Sequence, residues 1–174
     1  PAIRPNGRDP LVTFENVSFA YDEDAPEGEM GYQYSRTALF EGYLTGSKDG
    51  KPVAPLLGEL TDYDGGGSDF AFGPFSFLLV YSDHAVAYVF TPVDHLNCKC
   101  DIYWLVRGDA VEGKDYDVDE LTWLWDVTTH ADKTIIVNNW KGVRLRHYTP
   151  GPFSSMEEAE GIYVEWILRE LARP

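Results

Sequence analysis

Apolar and polar residues alternate along Leu11-Val12-Thr13-Phe14-Glu15-Asn16-Val17-Ser18-Phe19, a period of two that predicts a half-buried strand. Three further strands are predicted at Ser76 to Tyr81, Ala85 to Pro92 and Lys99 to Val106, the second ended by its proline. Asp83-His84 lies between the first two of these and fits a tight hairpin, so antiparallel pairing is expected. Tyr32 to Leu44 fits a strand or a short helix. The acidic stretch Asp22 to Gly31 and the polar stretch Gly46 to Pro52 read as loop and turn. Asp62 to Ser68, which contains Gly65-Gly66-Gly67, reads as a flexible loop; no Gly-Lys-Ser/Thr follows to make it a phosphate loop.

The period then changes. From Val118 to about Lys141, Leu121, Leu124, Trp125, Thr128, Ile135, Ile136 and Asn139 recur at helical spacing, with Gly142 as a stop. Thr149-Pro150-Gly151-Pro152 breaks the chain, and Ser155 with Glu158 has the pattern of a capping box. The helix that follows carries Ala159, Ile162, Tyr163, Trp166, Ile167 and Leu171 on one stripe. Strands first and helices last predict an α+β domain with one twisted antiparallel sheet covered on one face. Residues 1–10, with three prolines, read as an irregular lead-in to a single domain.

Composition narrows the partners. Twenty-nine acidic against 14 basic residues give a net charge of −15, which repels nucleic acid and acidic membrane surfaces. No apolar run approaches the roughly 20 residues of a membrane span, and Pro1-Ala2-Ile3-Arg4-Pro5 does not open a secretory leader. A soluble, cytoplasmic protein is expected. Cys98 and Cys100, one residue apart, suit neither a mutual disulfide nor a zinc site and read as ordinary strand residues.

One residue breaks its pattern. Position 132 falls on the apolar stripe of the long helix, yet it is Asp132. A carboxylate on a buried face must be paired, protonated or bound to a cation, and iron(II) is one such cation. The same spacing also allows a mid-helix Asp that turns to solvent. Of the four histidines, His84 reads as a hairpin residue, His95 as a loop residue after Pro92, and His147 as preceding the Pro-Gly-Pro turn. His130 is expected on a different side of the helix from Asp132. No nucleophile elbow and no dinucleotide-binding turn is present.

The run Leu124-Trp125-Asp126-Val127-Thr128-Thr129-His130-Ala131-Asp132, then Asn139-Trp140-Lys141-Gly142-Val143, then Tyr148-Thr149-Pro150-Gly151-Pro152-Phe153-Ser154 with Glu157, resembles the carboxyl-terminal signature of Rieske-type ring-hydroxylating oxygenase alpha subunits. Thr45 to Pro52, Pro55 to Gly58, Trp104 to Val106 and Ala110 to Asp117 look similar too. The resemblance covers roughly residues 30–172. It implies a helix-grip (START/Bet v 1-like) fold, a curved antiparallel sheet around a long helix with an apolar pocket between them. By position Asp132 matches the carboxylate ligand of a mononuclear Fe(II), and Trp125 and Thr128 are expected to line the substrate pocket. The implied chemistry is O2 activation and hydroxylation or demethylation of an aromatic or other organic substrate. The implied electron source is a Rieske [2Fe-2S] cluster fed by a ferredoxin or reductase, in a homotrimer.

The departures from the family pattern are specific. The histidine ligand motif and the Rieske cysteine and histidine motifs do not occur in this sequence, His130 replaces an acidic residue or Gln, and Asn139-Trp140-Lys141-Gly142 replaces Gln-x-Gly. The sequence is therefore read as the C-terminal part of the catalytic domain, supplying one iron ligand of three. The alternative from another class is a metal-free helix-grip module that binds a small apolar ligand.

Overall fold

The computed structural model describes residues 17–21, 32–154 and 157–173. Six strands, β1 (Val17–Tyr21), β2 (Tyr32–Ala38), β3 (Gly66–Phe72), β4 (Ser76–Val80), β5 (Ala85–Asp94) and β6 (Asn97–Leu105), are followed by helices α1 (Val118–Val143) and α2 (Glu158–Ala172). Each strand pairs antiparallel with the next, in the order β1 to β6. The α+β class and the antiparallel pairing agree with the sequence pattern. Residues 11–16 of the first predicted strand, the loop from Asp22 to Gly31 and the cap residue Ser155 lie outside the described residues.

One open choice is settled and two boundaries differ from expectation. Tyr32 to Ala38 is strand. The glycine-rich stretch is not a flexible loop throughout, because Gly66 and Gly67 open β3, paired with Ala38 and Thr37. A Cβ on Gly66 would sit 2.4 Å from the Arg36 guanidinium, and one on Gly67 would sit 3.0 Å from the Tyr81 ring. These glycines make room for neighbouring side chains, a use the strand-breaking reputation of glycine hides. Pro92 does not end β5, which continues to Asp94 through an irregularity in the ladder between those residues.

The β4–β6 registers place Phe77 opposite Tyr88, Leu79 opposite Val86, Val86 opposite Trp104 and Tyr88 opposite Ile102. With a side-chain period of two these residues share one face. Leu79, Val86 and Tyr88 form its buried core, with Phe77, Tyr81, Phe90, Ile102, Trp104 and Trp125 packed against it. Helix α1 is capped by Asp117, whose side chain accepts from the Glu120 N–H, and it docks through Leu121, 4% exposed. Further along α1, Ile135 and Ile136 are exposed, against the predicted stripe. Helix α2 starts after Glu157, whose carboxylate accepts from the Ser154 N–H at 2.7 Å, and it packs Trp166 edge-on against Phe75.

Candidate functional site

The core face of β5 and β6 continues past the core. Tyr88, Phe90 and Pro92 on β5, with Cys98, Cys100 and Ile102 on β6, line a groove of about 950 Å³ whose other wall is α1. That wall comprises Trp125, Thr129, His130, Asp132, Lys133, Ile136, Val137 and Trp140. Counting from Trp125 by four, seven, eight, eleven, twelve and fifteen residues gives all of it but His130, as expected for one helix face. Asp94, His95, Leu96 and Asn97 close the end at the β5–β6 turn.

The structure brings Asp132 and Trp125 to this groove. Asp132 is exposed within it rather than buried. Beyond Thr129 the helix faces open space, so the expected burial of this carboxylate is corrected. Thr129, not Thr128, is on the groove wall: the predicted stripe runs one position out of register there, and a count from Trp125 in steps of four would have found it. His130 and His95 share the groove with Asp132, which also revises the placement of His130. Its Nδ1 lies 2.9 Å from the Asp126 carbonyl oxygen. Cys98 and Cys100 are strand residues, as read, but exposed on the groove wall.

The sheet reaches α1 through Tyr88. Its ring is 5% exposed, stacks on Phe77 at 4.4 Å between centroids and meets Trp125 edge-on. Its hydroxyl is 2.6 Å from Thr129 Oγ1, which donates to the Trp125 carbonyl oxygen at 2.6 Å. Burial raises the Tyr88 phenol above its ordinary pKa; the Thr129 hydrogen bond opposes this, while Cys100, Asp132 and Asp126 add to it. The phenol therefore keeps its proton and can act as a hydrogen-bond donor.

His84 sits in the β4–β5 hairpin turn, as read from the sequence, and is fully buried there. Its Nδ1 lies 2.8 Å from Asp83 Oδ1, which also accepts from Thr45 Oγ1 at 2.5 Å. Asp83 Oδ2 accepts from the Val53 N–H at 2.9 Å. This network fastens the 45–53 segment to the turn.

Among the described residues no group of three or more His, Cys, Asp or Glu side chains converges as a metal site. Asp132 is nonetheless suited to one ligand position. Its carboxylate is an anionic oxygen donor on the groove wall, engaged by no hydrogen bond or ion pair among the described residues. The described residues thus fit part of a ligand set and do not complete it. No helix among them is long and apolar enough to cross a membrane.

The antiparallel sheet, the long helix and a groove bearing a free carboxylate agree with what comparison with known proteins finds. Residues 9–172 match the ring hydroxylating alpha subunit (catalytic domain) family, and the chain belongs to that family of Rieske non-haem iron oxygenases. Among curated relatives it is similar to the glycine betaine monooxygenase oxygenase subunit of Chromohalobacter salexigens, 34% identical over 134 residues, covering 76% of this chain and 30% of that protein. It is also similar to the subunit of the same name from two strains of Pseudomonas aeruginosa, 32% identical over 133 residues, covering 75% of this chain and 31% of each. The chain thus spans under a third of the length of these relatives.

Proposed function

We propose that this chain forms the C-terminal part of an oxygenase catalytic domain of helix-grip type, with Asp132 as the carboxylate ligand of a mononuclear Fe(II) and the groove as its substrate site. One observation carries the reading: the unpaired Asp132 carboxylate stands in the groove between sheet and helix, two helical turns beyond Trp125. Iron(II) at such a site supplies O2 activation, with electrons from a Rieske [2Fe-2S] cluster reduced by a ferredoxin or reductase. The remaining ligands are histidines outside this sequence, and the intact enzyme is a cytoplasmic homotrimer.

The residues present perform the binding. Phe77, Tyr88, Phe90 and Trp125 give the groove aromatic walls, while Asp94 and Asp132 bring two carboxylates against the single ammonium of Lys133. Aromatic faces with nearby carboxylates hold a quaternary ammonium group, a contact worth about 0.5–2 kcal/mol per ring. The relatives are named for glycine betaine, which carries such a group, and we extend that substrate class to this chain. Monooxygenation balances as one N-methyl group, O2, two electrons and two protons giving N–CH2OH and water. The hydroxymethyl compound then loses formaldehyde and a proton to leave the tertiary amine. An aromatic ring stacked on the same walls is the substrate this reading displaces.

The test is anaerobic Fe(II) loading of the full-length protein that carries this segment. Asp132→Ala should lose bound iron and oxygenation together; retention of both overturns the assignment. Formaldehyde release from N-methylated ammonium compounds, and none from aromatic acids, is expected. The apolar wall around Phe77, Phe90, Ile102 and Ile136 favours the second reading, a metal-free ligand-binding module. That reading gains if an apolar ligand binds with wild-type affinity while the full-length protein takes up no iron.

A further inference from the structure

We propose that Tyr88, acting through Thr129, is a positioning residue that fixes where the Asp132 carboxylate stands in the groove. The proposal rests on the reading of Asp132 as an iron ligand.

Thr129 has one hydroxyl proton, and at 2.6 Å it is given to the Trp125 carbonyl oxygen. The Thr129 oxygen is left to accept, and the Tyr88 hydroxyl is placed to donate to it at 2.6 Å. A directed chain therefore runs from Tyr88 O–H to Thr129 Oγ1 and on to the Trp125 carbonyl, from the sheet into the helix backbone; the direct approach of the Tyr88 hydroxyl to that carbonyl oxygen, at 3.4 Å, is the longer and weaker contact. The Tyr88 ring cannot swing away, being buried and stacked on Phe77. From His130 to Lys141 every residue of α1 is exposed. Thr129 is thus the last point before Asp132 at which the helix is held, and Asp132 follows it by one turn on the same face. A helix freed at this point pivots on its docked N-terminal half, and the displacement grows toward Asp132. Ligand and catalytic groups misplaced by about 1 Å lose function steeply.

The full-length protein is loaded anaerobically with Fe(II), and its dissociation constant is read by chelator competition for Tyr88→Phe, Thr129→Val, the double variant, Thr129→Ser and Asp132→Ala. Melting temperature and near-UV circular dichroism serve as fold controls. Each single hydroxyl removal should weaken iron binding about tenfold, as loss of a ligand-orienting partner does. The double variant should weaken it by the same factor rather than the product, because both changes cut one chain of bonds. Thr129→Ser, which keeps the hydroxyl, should bind as wild type. The proposal is overturned if Tyr88→Phe and Thr129→Val hold iron as tightly as wild type while Asp132→Ala loses it. That result leaves the ligand assignment standing. Should Asp132→Ala itself retain iron, the ligand assignment fails and the positioning role with it. If Tyr88→Phe does not fold, the comparison of Thr129→Val with Thr129→Ser decides.

Discussion

Asp83 shows how much a single buried group can depend on its donors. Burial alone pushes its carboxyl up; the contacts from His84 and Thr45 and the Val53 N–H more than offset this and hold it below its ordinary value of 3.8. A carboxyl whose folded pKa is depressed binds fewer protons folded than unfolded, so its stabilisation is full above pH 3.8 and is lost as pH falls through the lower folded value. Asp83→Asn is expected to cost about 2 kcal/mol at pH 7, the scale of a hydrogen bond to a charged group. Urea unfolding at pH 7 and at pH 3 should show the gap between variant and wild type closing in acid; a constant gap removes the linkage. None of this was legible in the sequence, where His84 reads as a turn residue. Neighbours brought in from position 45 and position 53 decide its burial. Asp132 was legible only in part: its place on the groove side of α1 follows from helical spacing, and its exposure depends on what lies opposite.

At the scale of elements, α1 is held unevenly. Leu121 near its start is 4% exposed and Ile135 is 66% exposed, although both sit on the stripe that helical spacing predicts. Leu121→Ala should therefore cost about 2–4 kcal/mol, whereas Ile135→Ala should stay within about 0.5 kcal/mol. Equal losses would show that the distal half is packed as well. The 45–53 segment is fixed by space as much as by bonds. A Cβ on Gly46 would lie 2.2 Å from the Tyr81 ring, and Gly46→Ala is expected to cost about 1–3 kcal/mol by overpacking. Tyr81→Leu in the same chain should recover part of that loss in thermal unfolding. Strands β4 to β6 were readable because apolar, β-branched and aromatic residues gather there between turn signals. Strand β3 was not, since glycines at its start mimic a loop and their reason for being there lies across the sheet, in Arg36 and Tyr81.

For the molecule as a whole, the α+β layout follows from strands preceding helices, and the pairing from short connections between neighbours. A pocket between sheet and helix was implied by the family resemblance and not by the pattern of the chain, because the groove needs the relative position of α1 and the β5–β6 hairpin. Charge acts at this scale too. A net −15 is a self-repulsion that salt screens, the Debye length shrinking from about 30 Å at 0.01 M to about 8 Å at 0.15 M. The melting temperature is expected to rise with sodium chloride over that range; a fall would mean that ion pairs such as Lys99–Asp101 outweigh repulsion.

The hairpin of β5 and β6 also gives the groove a built-in reporter. Cys98 and Cys100 project from the same side of a strand, and both thiols are open to reagents. A maleimide or spin label attached there hangs in the space a bound molecule fills. Slower alkylation in the presence of a compound would therefore measure occupancy directly, before any turnover is known.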